Sequence, residues 1–298
     1  MNSFKQTIDQ DDVIGVIGLG RMGHGIALNL LKAGFELHGL NHAGNQPVDA
    51  LTALGAEMHD SISTVVDGAK LIIICVTGSD DVDAVLHNPG GILASANTPL
   101  MIMDCSTGIP EETKRRHKEA ALEGHFLFDA AMTRTPAEAA EGRLNLIIGG
   151  DDALKVQLAN VLDPIAEVVT MAGSVGMGQE AKLIHNFVSL GFSAILAEAA
   201  ARSDINGLDR STFLELLGQG GGGGVIFERF RPYLEHGNRN AFNFTISNAV
   251  KDLGYFDKIT GQDSLNNAVL SLYQDADQGD DTCVPQLVDY IRQRLAHD

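Results

Sequence analysis

The 298-residue chain is poor in cysteine, in positive charge and in long apolar runs, and each shortage excludes a class of protein. Three cysteines, Cys75, Cys105 and Cys283, are odd in number, far apart and without metal-ligand spacing. That excludes a secreted disulfide scaffold and points to a reducing, cytoplasmic setting. Only 21 Lys and Arg stand against 39 Asp and Glu, a formal charge of −18. A field of that sign repels phosphate backbones and anionic lipid, so neither nucleic acid nor a membrane is an expected partner, and an anionic substrate needs a local cationic pocket. The opening residues, Met1 to Gln10, lack the apolar core of a signal peptide, and no apolar run approaches the ~18 residues of a membrane span. Ten histidines are present, and no metal is expected. No internal repeat is evident, and the one low-complexity stretch is the run Gly220–Gly224, read as a loop between two helices.

What is present is an ordinary globular composition, 44% hydrophobic and 20% charged, at a length that suits about two domains. Short apolar runs predict strands at Val13–Gly18, Glu36–Leu40, Leu71–Val76, Leu100–Cys105, Phe126–Ala131, Leu146–Ile148 and Val168–Met171. Helical patterns fall between them at Met22–Ala33, Pro47–Leu54, Ser61–Val66, Asp81–Leu86 and Pro110–Glu123. Such alternation implies an α/β fold, a Rossmann-type doubly wound parallel sheet. Beyond residue 172 the pattern is helical throughout, opening with a long helix over Gly178–Ala201. The expected domains are therefore 1–172, binding a dinucleotide, and 173–298, all-helical and joined by that long helix.

Gly18-Leu19-Gly20-Arg21-Met22-Gly23 fits G-x-G-x-x-G, follows an apolar strand and opens a helix, which is the context the motif needs. The first glycine permits the tight turn, the second lets backbone approach a pyrophosphate, and the third packs helix on strand. The helix N-terminus supplies N–H groups and a positive dipole end. At the end of the second strand, Asn41 and His42 stand where a carboxylate selects NAD or an arginine favours NADP. Lacking both, the chain is read as taking NADP or NAD with a slight lean to NADP, His42 facing the extra phosphate.

Further motifs follow in order: Asp104-Cys105-Ser106-Thr107-Gly108, then Gly176-Met177-Gly178-Gln179-Glu180-Ala181-Lys182-Leu183-Ile184-His185-Asn186, then Lys251-Asp252-Leu253. Together with the glycine-rich turn they resemble, across essentially the whole chain, the β-hydroxyacid dehydrogenase family, relatives of 3-hydroxyisobutyrate dehydrogenase and tartronate semialdehyde reductase. The resemblance implies a C-terminal domain like that of 6-phosphogluconate dehydrogenase. It implies hydride transfer between a nicotinamide cofactor and a small β-hydroxyacid, or its semialdehyde or keto acid. It makes Lys182 the catalytic acid/base and Asn186 a substrate ligand one helical turn on. Ser106, Thr107 and Gly108 become a substrate-binding segment, with Thr107 also touching the nicotinamide side. Val76 and Thr77 line the cofactor where the family has Leu-Pro, and Lys251 reaches over the cofactor.

The chemistry agrees with these residue types. Hydride addition to a carbonyl leaves a developing alkoxide, for which an ammonium supplies both a proton and a positive charge; in reverse the neutral amine is a base. One segment departs from the family: Thr133-Arg134-Thr135 replaces a small S-G-G stretch that binds the substrate carboxylate. Thr133, Arg134 and Thr135 are read as substrate-binding, with Arg134 a bidentate clamp for an additional or more distal anionic group. The alternatives are an imine reductase-like enzyme, whose relatives lack the lysine, and a non-catalytic dinucleotide-binding homologue. A homodimer or homotetramer is expected, because the helical half carries more apolar faces than a small domain can bury.

Overall fold

The computed structural model describes residues 7–260 and 265–297. The first six residues, Met1 to Gln6, lie outside that description. Two compact units emerge, Met1–Lys182 and Leu183–Asp298.

The first unit is built on one eight-stranded sheet. Its strands are β1 (Val13–Ile17), β2 (Glu36–Leu40), β3 (Glu57–His59), β4 (Ala69–Ile74), β5 (Met101–Asp104), β6 (Phe126–Thr133), β7 (Leu144–Gly149) and β8 (Ala166–Gly173), in the order β3-β2-β1-β4-β5-β6-β7-β8. The first six run parallel, as the strand–helix alternation predicts. The sheet is mostly parallel, with one exception at one end. β6 and β7 are antiparallel, and β8 runs parallel to β7. The link between β6 and β7 holds only the five-residue helix Pro136–Ala140, too short for a crossover that returns to the same end of the sheet. β3 escapes the sequence reading, being three residues with a glutamate and a histidine among them.

Both faces of the central strands are covered. Along β4, Leu71 and Ile73 enter one apolar core with Ile14, Val16, Met101 and Phe128; Ile72 and Ile74 enter the other with Ile17, Ile102 and Leu127. This is the period-two consequence of a strand buried on both sides, and it explains the unbroken apolar run Leu71–Ile74.

The second unit is helical. Its core gathers Leu190, Ala194, Ala197, Ala200 and Ala201 of the long helix Met177–Ile205 with Phe227, Phe230, Leu253, Tyr273 and Val284 from later helices. Among the described residues, only this long helix is apolar and long enough to cross a membrane, although no unbroken apolar run marks it in the sequence. Its leucine and alanines named above lie in the folded core. By compactness the first turns of the helix lie with the first unit, which ends at Lys182. Hydrogen bonds from Asp129 and Gln179 hold those turns to the sheet.

Candidate active site

The glycine-rich turn separates the demands of the protein from those of a ligand. Gly18 has φ +96°, and a Cβ there would lie 2.3 Å from the Cys75 carbonyl oxygen. A Cβ at Gly23 would lie 2.0 Å from the Gly18 carbonyl oxygen. Both glycines are therefore required by the chain's own packing. Gly20 is different. It has φ −68°, which any residue adopts, and a Cβ there meets nothing within 4 Å. Its glycine is explained by something approaching from outside, at the N-cap of the helix Arg21–Lys32 and beside that helix's positive dipole end. The residues fit a dinucleotide pyrophosphate. Beneath the turn, desolvation pushes the Cys75 thiol up to about 12.

The loop after β2 is fastened to this turn. Asn45 accepts from the Leu19 N–H at 3.3 Å and donates to the Leu40 carbonyl at 2.9 Å, while the Gln46 N–H donates to the Leu19 carbonyl at 2.8 Å. Nothing in the sequence motifs singles out Asn45. The exposed Asn41 donates to Asp60 at 2.8 Å, and the exposed His42 accepts from the Gly44 N–H through Nδ1 at 3.0 Å.

Across the sheet, β5 delivers Asp104, Cys105 and Ser106 to the carboxyl end of the strands, where doubly wound sheets bind ligands. Ser106 is buried and fully committed. Its hydroxyl accepts from the Val76 N–H at 3.0 Å, and its N–H donates to Asp104 at 2.9 Å. This serine ties β4 to β5, and Thr107 beside it is half-buried.

The segment Ser106–Gly108 is clamped to the long helix by Gln179. The buried side-chain amide donates to the Ser106 carbonyl at 2.8 Å and accepts from the Gly108 N–H at 2.9 Å. The same helix start is held by Asp129 of β6, which accepts from the N–H groups of Gly176 at 2.7 Å and Gln179 at 2.8 Å. Asp129 is a helix cap supplied from a distant strand. Burial pushes its carboxyl up to about 6 despite those two N–H donors, with Asp104 nearby adding to the rise. Gly176, at φ +95°, turns the chain into the helix. A Cβ at Gly178 would strike the Ile147 carbonyl at 2.5 Å and the Asp129 carboxylate at 2.6 Å. Each glycine of Gly176-Met177-Gly178 thus has a steric cause, and three residues after Gln179 comes Lys182, buried at 9% exposure. These bonds bind the first turns of the helix into the first unit. Sequence reasoning does not find Gln179 and Asp129 as positioning residues; their one signal is their place inside or beside the motifs.

Within the second unit, Asn186 donates to Asp252 at 2.6 Å, and Asp252 lies 3.3 Å from the Lys251 ammonium. The acidic residue of Lys251-Asp252-Leu253 is therefore the anchor of Asn186, and His185 lies 3.1 Å from the same amide.

The segment after β6 differs from its sequence reading. Arg134 has φ +83°, the only positive φ at a non-glycine among the described residues. It keeps the backbone shape that a glycine would adopt. Its guanidinium donates to the Arg143 carbonyl at 2.6 Å and pairs with Glu167. The clamp expected for a substrate anion already holds a carboxylate of the chain. Thr135 likewise bonds Glu138 through N–H and hydroxyl, at 2.8 and 2.6 Å, as a cap for the helix that follows. Thr133, at the end of β6, stays half-buried.

Residues 13–173 match the model of the NAD-binding domain of 6-phosphogluconate dehydrogenase, with the glycine-rich turn at its start. An NAD-dependent L-serine dehydrogenase of Pseudomonas aeruginosa is 31% identical over 74% of this chain and 74% of its own length. A 3-hydroxyisobutyrate dehydrogenase of the same organism is 32% identical over 81% of this chain and 83% of its own length. The chain belongs to the β-hydroxyacid dehydrogenase family. It is an NAD(P)-dependent oxidoreductase acting on a CH–OH group, and its cofactor is NAD or NADP. In fold, this dehydrogenase superposes on Mycobacterium tuberculosis 3-hydroxyisobutyrate dehydrogenase, solved with L-serine, at TM-score 0.80 and 23% identity, over 95% of this chain and 99% of the other.

One arrangement of histidines runs against the sequence reading. No metal is expected from the sequence, yet His38, Glu57 and His59 come together across β2 and β3.

Proposed function

We propose that this chain interconverts a small β-hydroxyacid and its semialdehyde or keto acid, with Lys182 as the proton donor and acceptor at the reacting oxygen. One observation carries the reading: Gln179 fixes Ser106–Gly108 to the helix turn immediately before Lys182, so a substrate loop and an ammonium share one rigid support. When bound, the nicotinamide supplies the hydride. The protein's part is to hold the cofactor on Gly18–Gly23, with Val76, Thr77 and Lys251 lining it, and to orient the substrate through Thr107, the Gly108 backbone, Thr133 and Asn186. In reduction, Lys182 Nζ gives its proton to the oxygen as charge develops there; in oxidation its neutral amine takes the hydroxyl proton. Asn186 follows Lys182 by four residues, about one turn along the same helix face.

The substrate we infer is a simple three- or four-carbon hydroxyacid, since the pairing of Arg134 with Glu167 removes the reason to invoke a second anionic group. His42 Nε2, set outward by the bond at Nδ1, is the group we assign to a 2′-phosphate, which favours NADP. Lys182 weighs against the imine reductase-like alternative and against a non-catalytic homologue. Lys182→Ala decides: turnover of a semialdehyde panel with NADPH or NADH should fall about 10²–10⁴-fold while cofactor binding survives. Retained turnover overturns the assigned role.

We further propose a homodimer or homotetramer. Ile184, Val188 and Ile195 recur on one face of the long helix, and Val188 and Ile195 are 63% and 64% exposed. Light scattering of the purified chain tests this, a monomer being the contrary result.

A further inference from the structure

The chain's outermost strand carries a cluster that hydride transfer does not use. β2 and β3 pair in parallel with His38 opposite Glu57 and Leu40 opposite His59. Side chains alternate along strands, so Glu36, His38, Glu57 and His59 all stand on one face of the sheet. Gly39 and Met58 lie on the other face, where a Cβ at Gly39 would meet the Met58 sulfur. One ligand atom each from His38, Glu57 and His59 lies within 4.8 Å of the other two. The two imidazoles meet edge to face with centroids 4.7 Å apart. His38 is largely buried, with a side chain 12% exposed, whereas Glu57 is 64% exposed and opens the cluster to solvent.

The hydrogen-bond accounting at this cluster is incomplete within the protein. His38 Nδ1 and His59 Nε2 are both buried and have no hydrogen-bond partner. Two such atoms within one cluster are unusual, since buried polar atoms are nearly always paired. The nearest carboxylate oxygens to His38 Nε2, on Glu36 and Glu57, are at 3.7 and 4.0 Å, beyond hydrogen-bond reach.

We propose that His38, Glu57 and His59 form a binding site for one divalent transition-metal ion, zinc being the closest match. Two imidazole nitrogens and one carboxylate oxygen suit zinc, nickel or copper and disfavour calcium or magnesium, which prefer oxygen alone. Three protein ligands leave a position for water, or for Glu36 as a fourth ligand. Zinc–ligand bonds of about 2.0–2.2 Å require the three side chains to draw together slightly. The ion crosslinks β3 to β2. β3 is held otherwise by a ladder of three residue pairs at the sheet edge. The His59 carbonyl accepts from the Asn41 N–H at 2.7 Å, so the crosslink also steadies the start of the loop that carries His42.

The test uses the full chain without a histidine tag, stripped with chelator and dialysed. Zinc titration by calorimetry should show one equivalent bound per chain and a raised Tm, since an ion that binds only the folded state stabilises it. Cobalt substitution should give the visible absorption of a four-coordinate site. His38→Gln and His59→Gln should each weaken zinc affinity by at least about tenfold. Glu57→Gln, on an exposed side chain, should weaken it too without endangering the fold. His236→Gln, at an exposed histidine elsewhere, should leave it unchanged. Absence of binding at millimolar zinc, or equal affinity in wild type and Glu57→Gln, overturns the proposal.

Discussion

Two buried carboxylates hold the long helix, one in each unit, and they do so differently. Asp129 accepts from two backbone N–H groups and so fixes where the helix begins. Asp252 accepts from a side chain, Asn186, and pairs with the Lys251 ammonium, so it fixes where side chains point. A carboxylate bonded to backbone sets the frame on which Gln179 and Lys182 stand; one bonded to side chains sets only their directions. Loss of the first should disturb stability and every activity together, and loss of the second should disturb one step.

The largest effect that tests this contrast is Asp129→Ala. It leaves two buried N–H groups without acceptors and should cost about 4 kcal/mol by urea unfolding, with turnover falling in parallel. A change under about 1 kcal/mol would erase the distinction. The pH dependence of Asp129 comes next. Its folded pKa, about 6, lies above the ordinary 3.8, so the native state holds the proton more tightly. The resulting stabilisation is complete below the ordinary value and is lost as pH rises through about 6, an effect of about 3 kcal/mol. Stability of the wild type relative to Asp129→Asn should therefore fall between about pH 4 and pH 6. Asp83 acts elsewhere on the scale. Burial raises its carboxyl, but Arg116 and Arg115 outweigh that and hold it at about 2, so its contribution is lost only as pH falls towards that value. The smallest effect is that of Asp252→Ala. KM for the hydroxyacid should rise about tenfold, or ~1.4 kcal/mol, with stability to urea changed by less than in Asp129→Ala. A loss of stability as large as that of Asp129→Ala would mean that Asp252 supports the whole domain.

Much of the fold and of the site is legible in the sequence because its causes are local. The apolar run Leu71–Ile74 announces a strand covered on both faces, and the glycines at 18, 20 and 23 announce their turn. Motif order brings Lys182, Asn186 and Lys251-Asp252 to notice. What stays hidden depends on partners distant in sequence. Gln179 acts on residues more than 70 positions away. The reversed direction of β7 depends on how the chain returns after β6, and the His38–His59 pair on the register of two strands. Arg134 misleads because a guanidinium reads alike whether it awaits a ligand or pairs with Glu167, and nothing in the spacing of residues 134 and 167 distinguishes the two.

The open space above Gly20 offers an experimental handle. Substitution at Gly18 or Gly23 confounds misfolding with loss of binding, because the chain itself forbids a side chain there. Gly20→Ala confronts no protein atom within 4 Å, so its melting temperature without cofactor should match the wild type. Its rise in melting temperature on adding NADPH or NADH should be largely abolished. That variant is a folded reference for the cofactor-free protein, against which ligand-linked changes in stability, assembly or metal content can be measured.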